Sequence, residues 1–200
     1  MMDFAKLLKY ECLVFDLDGT LVDSMPFHYG AWVKAVAPFG FVPDREWMYR
    51  HGGVPSHKIA RILIDEHHLP FDDPHELAAI KTRNYLENIR NVEVYPVMLE
   101  LLNFAREHNI PMGIGTGTLR SNVEYIVNHT ILKDYIKVIV SADDVKNHKP
   151  HPDTFLKVAE AFGADPHKSA VFEDSYFGYE AAINGGFDLI KVINGIPEFQ

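Results

Sequence analysis

Apolar positions along this chain fall into two kinds of pattern, short strand-like runs and series spaced three and four residues apart. The runs are Leu13 to Phe15, Pro111 to Gly115, Val138 to Val140, Ala170 to Phe172 and Leu189 to Val192. Runs this short, bounded by turn-forming residues, are what strands buried on both faces leave in a sequence. Between them, Val97, Leu101, Phe104, Ala105 and His108 keep helical spacing, as do Phe155, Val158, Ala159 and Phe162. The second series has Pro152 near its first turn and Gly163 as a stop. Strand and helix alternating in this way predict an α/β fold, a Rossmann-like parallel sheet with helices on both faces.

The alternation breaks between residues 24 and 94. No strand-like run occurs there, whereas Ile59, Ile62 and Leu63, and the stretch Leu77 to Ile89, read as helical, separated by Pro43, Gly52-Gly53, Pro55 and Pro70. The pattern predicts a core of residues 1–23 and 95–200, with a small all-helical domain of residues 24–94 inserted after the first strand. Segments carried over strand ends commonly act as lids that exclude water and select substrates, and a rigid appendage is the other reading.

Composition narrows the partners. At 200 residues and 47% hydrophobic content the chain can bury a substantial core. A net charge of −9 argues against nucleic acid and anionic membranes, both of which call for a basic face. It leaves room for a phosphorylated substrate, because local lysines and a bound cation outweigh a global sign. Cys12 is the single cysteine and reads as a small buried apolar residue, so no intramolecular disulfide forms. Residues 1–10 carry charges and lack a long apolar core, and no stretch reaches the roughly 18 apolar residues a bilayer span needs. A cytoplasmic protein, monomeric or weakly homo-oligomeric, is the expectation.

The first run delivers two aspartates into a glycine turn, Asp16-Leu17-Asp18-Gly19-Thr20. Carboxylates at the end of a buried strand sit where ligands of open α/β sheets bind, and one can attack while its neighbour handles a proton. Thr20 and Asp23 fit either helix capping or support of that pair. Three more polar segments close or follow apolar runs: Gly115-Thr116-Gly117-Thr118, Lys149-Pro150, and Phe172-Glu173-Asp174-Ser175. Thr116, with the main-chain N–H groups of Gly117 and Thr118 beside it, can hold a phosphoryl oxygen, and a lysine at 149 can neutralise attacking and transferred groups. The eleven histidines raise a zinc hypothesis, but His67-His68, His148 and His151 lack ligand spacing, and most histidines read as surface residues.

In their order and placement, these four segments resemble the haloacid dehalogenase superfamily, and the resemblance covers nearly the whole chain. It implies Asp16 as nucleophile, Asp18 as general acid and then base, and Thr116 and Lys149 as phosphoryl-holding groups. It also implies Mg²⁺ held by Asp16, the main-chain carbonyl of Asp18, and Asp174, with Glu173 as a further candidate for the metal or its waters. The insert resembles the helical cap of the β-phosphoglucomutase-like subfamily in position and size, which makes His28, Gly53, Ser56 and Lys81, together with Gly117 and Thr118, substrate-binding candidates. Mutases of that subfamily carry a cap arginine three residues after a glycine. The matching segment here, Gly53-Val54-Pro55-Ser56, ends in serine, which weakens the mutase reading, although Arg50, His57 and Lys58 lie close in sequence.

The segments 141–146 and 149–155 look most like bacterial fructose-1-phosphate phosphatases of the subfamily. The expectation is a Mg²⁺-dependent phosphatase of small sugar phosphates working through an aspartyl phosphate. The alternative is a β-phosphoglucomutase-type mutase. A haloacid dehalogenase and a non-catalytic sensor are weaker rivals.

Overall fold

Five of the apolar runs become parallel strands of one sheet. The structure, a computed structural model, describes residues 3–52, 54–89 and 92–199. Strands β1 (Leu13–Phe15), β2 (Met112–Gly115), β3 (Val138–Val140), β4 (Ala170–Glu173), β5 (Asp188–Ile193) and β6 (Ile196–Glu198) line up in the order β3-β2-β1-β4-β5-β6. Only β6 runs antiparallel, paired to β5. The sheet is therefore mostly parallel, as the alternation predicts. β1 lies between β2 and β4, with Phe15 level with Ile114 on one side and Phe172 on the other. All three of its residues are buried, which explains why it reads as an unbroken apolar run rather than an alternating one.

The residues of the inner strands point alternately to two cores. Leu13, Phe15, Ile114 and Phe172 face one side, where they pack with Met98, Leu101 and Leu102 of α5 (Pro96–Glu107) and with Val123 and Ile126 of α6 (Arg120–His129). Val14 and Val171 face the other, against Phe155 and Val158 of α7 (Asp153–Phe162) and Ala181 and Ala182 of α8 (Tyr176–Asn184). The α5 stripe keeps Leu101 and Ala105 of the expected positions and adds Met98 and Leu102, while Val97 and Phe104 are half-buried and His108 exposed. α7 ends at Gly163 as expected.

Among the described residues, four α-helices lie between β1 and α5: α1 (Met25–Val36), α2 (Arg45–Arg50), α3 (Ser56–His67) and α4 (Pro74–Asn88). They share a separate hydrophobic cluster built on Trp32, Val36, Met48, Ile59, Leu63 and Leu77. Each large side chain buried this way contributes about 1.5–3 kcal/mol. Two features tie these helices to the sheet. Val22 bridges to Val94 where the chain leaves and re-enters the core, and Tyr85 and Ile89 at the end of α4 belong to the core cluster of α5 and α6.

The sequence reading places nothing after β5, yet β6 is there. Asn194 and Gly195, both with positive φ, form the two-residue turn of a hairpin between Ile193 and Ile196, a turn for which Asn-Gly is the strongest short signal.

Candidate active site

Because β2, β1 and β4 are adjacent and parallel, their C-terminal ends bring Thr116, Asp16 and Glu173 to one edge of the sheet. Asp16 follows β1 directly, and its N–H donates to the Phe172 carbonyl at 3.0 Å. Its side chain is 3% exposed. Lys149, from the loop after β3, donates to Asp16 Oδ1 and to Glu173 Oε1, each at 2.6 Å. The Lys149-Pro150 peptide is cis. Glu173 also accepts from the Ser175 N–H at 2.6 Å and the Ser175 hydroxyl at 3.1 Å. Its full burial is thus compensated by three donors. Asp174 turns the other way and accepts from the Thr20 hydroxyl at 2.9 Å, so Thr20 is placed by the site and not by a helix cap. Asp23 instead accepts from the Tyr95 hydroxyl at 3.1 Å.

Ligand oxygens of Asp16, Glu173 and Asp174 all lie within 4.8 Å of one another. Three carboxylates here face one ammonium. Burial pushes Asp16 up to about 7, with Glu173 and Asp18 adding to the shift against the pull of Lys149. Burial and then the charges of Glu173 and Asp16 hold Asp174 well above the usual carboxylate range. Lys149 is raised despite its burial, because Asp16 and Glu173 stabilise its charge. This hard oxygen donor set, short of positive charge, fits a divalent cation such as Mg²⁺. Glu173 is saturated by Lys149 and Ser175, whereas Asp16 Oδ2 and Asp174 Oδ2 have no hydrogen-bond partner among the described residues. The two aspartates are therefore the better ligands.

Gly19 makes the approach of Asp174 possible. Its φ is +87°, and a Cβ there would overlap the Asp174 carboxylate, so only glycine suits both the left-handed turn and the contact.

Asp18 faces a different set of groups. Its carboxylate accepts from the hydroxyls of Ser24 and Thr118, each at 2.5 Å, lies 3.0 Å from His28 Nε2, and takes a longer contact of 3.4 Å from the Tyr85 hydroxyl. Burial opposes ionisation, but His28, Ser24 and Thr118 together hold this carboxyl well below the usual range. His28 stacks on Tyr85 at 4.2 Å between ring centres, and its Nδ1 lies 2.6 Å from Lys81 Nζ. With Lys81 donating to Nδ1, the imidazole proton sits on Nε2 and points at Asp18. Lys81 is buried without a carboxylate of its own, and burial lowers it to about 8.

A cavity of about 670 Å³ lies between the helices α1–α4 and the strand ends. Asp18, His28, Ser56, Lys81, Gly117 and Thr118 line it. Thr116 is buried at the end of β2, and its Oγ1 accepts from the Thr118 N–H at 3.2 Å. Gly53 lies outside the described residues. Sequence reasoning missed Ser24, Ser175 and the hydroxyl of Tyr85. Nothing local in the sequence marks their roles, which arise only from the approach of Asp18 and Glu173.

The family model of the haloacid dehalogenase-like hydrolases matches residues 13–192. The fructose-1-phosphate phosphatase YqaB of Escherichia coli is 36% identical over 187 residues, covering 92% of this chain and 97% of that one. A phosphorylated carbohydrates phosphatase of Thermotoga maritima is 31% identical, covering 90% and 83%. Among solved structures, the β-phosphoglucomutase of Clostridium difficile superposes with a TM-score of 0.82 at 26% identity over 92% of this chain and 85% of its own.

Proposed function

The chain belongs to the haloacid dehalogenase-like hydrolase family, and from that membership we propose that it is a sugar phosphatase acting on fructose 1-phosphate-like esters through an aspartyl phosphate on Asp16. The observation that carries this reading is the buried Asp16 carboxylate, clamped by Lys149 and flanked by Asp174, two residues before Asp18, a second carboxylate that lines the cavity. The residues 24–94 act as the cap that closes over the substrate.

An oxygen of Asp16 attacks phosphorus, and the bond from phosphorus to the sugar oxygen breaks. Asp18 delivers a proton to that departing oxygen. The Nε2–H of His28, 3.0 Å away, can supply that proton, with Lys81 behind it passing one to Nδ1. Water then attacks the acyl phosphate while Asp18, again ionised, takes its proton, and the bond from phosphorus to Asp16 breaks to release phosphate. Lys149 balances the charge of Asp16 and of the phosphoryl group throughout. Thr116 and Thr118 orient the phosphoryl oxygens. Mg²⁺ held by Asp16, Asp174 and the Asp18 main-chain carbonyl would supply the positive charge that lets a carboxylate meet a phosphate dianion.

A mutase has to anchor a second phosphate, and Ser56 on the cavity wall brings no charge for it. The test is phosphate release from fructose 1-phosphate, β-glucose 1-phosphate and other sugar phosphates with Mg²⁺ or EDTA, beside the Asp16→Asn variant. Expected is metal-dependent release that falls at least about 10³-fold in the variant. Conversion of β-glucose 1-phosphate to glucose 6-phosphate, with no phosphate release, would replace this reading with the mutase.

A further inference from the structure

Three imidazoles outside the chemistry described above share one part of the cavity wall: His57 in the first turn of α3, His75 in the first turn of α4, and His148 beside Lys149. The rings of His57 and His75 lie 4.9 Å apart and nearly parallel, at 17°. His148 meets His57 edge-on, at 6.4 Å and 69°. Both ring nitrogens of His28 and the Nδ1 atoms of His51, His108 and His129 have hydrogen-bond partners. Among the described residues, those of His57, His75 and His148 have none, and His148 Nδ1 is both buried and unpartnered. A buried polar atom left without a partner is costly, so His148 Nδ1, beside the half-buried His57 and the exposed His75, points to a ligand that completes it.

Geometry selects among ligands. A single metal ion needs each imidazole nitrogen about 2.0–2.1 Å away, yet the one group of potential ligands close enough together among the described residues is Asp16, Glu173 and Asp174. Burial, then His75, His148 and Lys58, lowers His57. Burial and Lys58 lower His148 despite Asp143 and Asp153. At neutral pH these two rings are uncharged, each with one N–H donor and one bare acceptor nitrogen. Hydroxyl groups, which both donate and accept, complement such rings, and Tyr29 and Trp32 also line the cavity.

We propose that His57, His75 and His148 determine specificity for the leaving alcohol, binding the hydroxyl-bearing end of the sugar remote from phosphorus. This rests on the phosphatase reading and goes beyond it, because it makes the enzyme select for chain length and free hydroxyls.

The test compares a six-carbon ester, fructose 1-phosphate, with a three-carbon one, glycerol 3-phosphate, in wild type and in His57→Leu, His148→Leu and the hydrogen-bonding His57→Gln and His148→Gln. Each Leu variant should lower kcat/KM for fructose 1-phosphate about five- to tenfold more than for glycerol 3-phosphate, mainly through KM, with the Gln variants recovering most of the difference. Equal losses on both esters, or none on either, would overturn the proposal. Calorimetric titration of both esters with Mg²⁺ separates it from the phosphatase reading. If wild type binds fructose 1-phosphate without hydrolysing it, the phosphatase reading fails, and selective weakening in the Leu variants still supports the histidine site. If wild type binds the two esters equally, the histidine site fails.

Discussion

Lys81 shows at the scale of one residue how a site is built against stability. It is buried, its closest polar partner is an imidazole, and burial brings it down to about 8. A base whose folded pKa is lowered binds fewer protons folded than unfolded between about 8 and 10.5, so the free energy of unfolding rises with pH across that window. At pH 7 the charged amine costs the fold on the order of 3 kcal/mol. Lys81→Met is therefore expected to raise stability at pH 7 by about 1–3 kcal/mol and to flatten its rise between pH 8 and 10.5, while kcat/KM falls. Urea unfolding across pH and phosphate release together check it, and a variant less stable at pH 7 would refute the account. A lone lysine in a helical stretch gives no sign of this. Resemblance to a family marks the position, but its burial without a carboxylate exists only once α4 meets α1.

At the scale of elements, the junction of β4 and α8 sets the site most tightly. Ser175 caps α8 by accepting from the Gly178 N–H at 3.2 Å and at the same time donates to Glu173. A Cβ at Gly178 would overlap the Glu173 carboxylate. Gly178→Ala should thus displace Glu173, loosen Lys149, and lower kcat at least about tenfold, with a far smaller change in the thermal midpoint than a core truncation of about 2–5 kcal/mol would cause. Equal loss in the two measurements would assign Gly178 to packing alone. The inner strands β1, β2 and β4 were legible because strands buried on both faces carry no polar side chain before their ends. The α5 stripe was read correctly at Leu101 and Ala105 and missed Met98 and Leu102, because Val97, Met98, Leu101 and Leu102 allow two neighbouring apolar faces, and the sheet chooses between them.

Across the whole molecule, the acidic cluster draws on β1 and β4, strands more than 150 residues apart in sequence whose pairing sets Phe15 level with Phe172. Its carboxylates sit on preformed strand ends, so removing a divalent cation should abolish function and leave the fold intact. With EDTA, phosphate release should fall at least about 100-fold and return on adding Mg²⁺, with far-UV circular dichroism unchanged and the thermal midpoint rising with Mg²⁺ concentration. A midpoint indifferent to Mg²⁺ would argue against a cation at Asp16 and Asp174. Among the described residues, no helix is long and apolar enough to cross a membrane.

The sequence by itself determined the parallel α/β sheet, the helical stretches after β1, and the identity of the polar groups at the strand ends, because burial and backbone periodicity act locally and each strand end carries its own residues. Tertiary structure alone decided which carboxylates share one space, which of them Lys149 neutralises, that Asp18 answers to His28 and Lys81 from α1 and α4, and that three histidines far apart in sequence meet on one wall. Those are distances between elements. They set desolvation and charge coupling, which depend on separation in space and leave no trace in the order of residues along the chain.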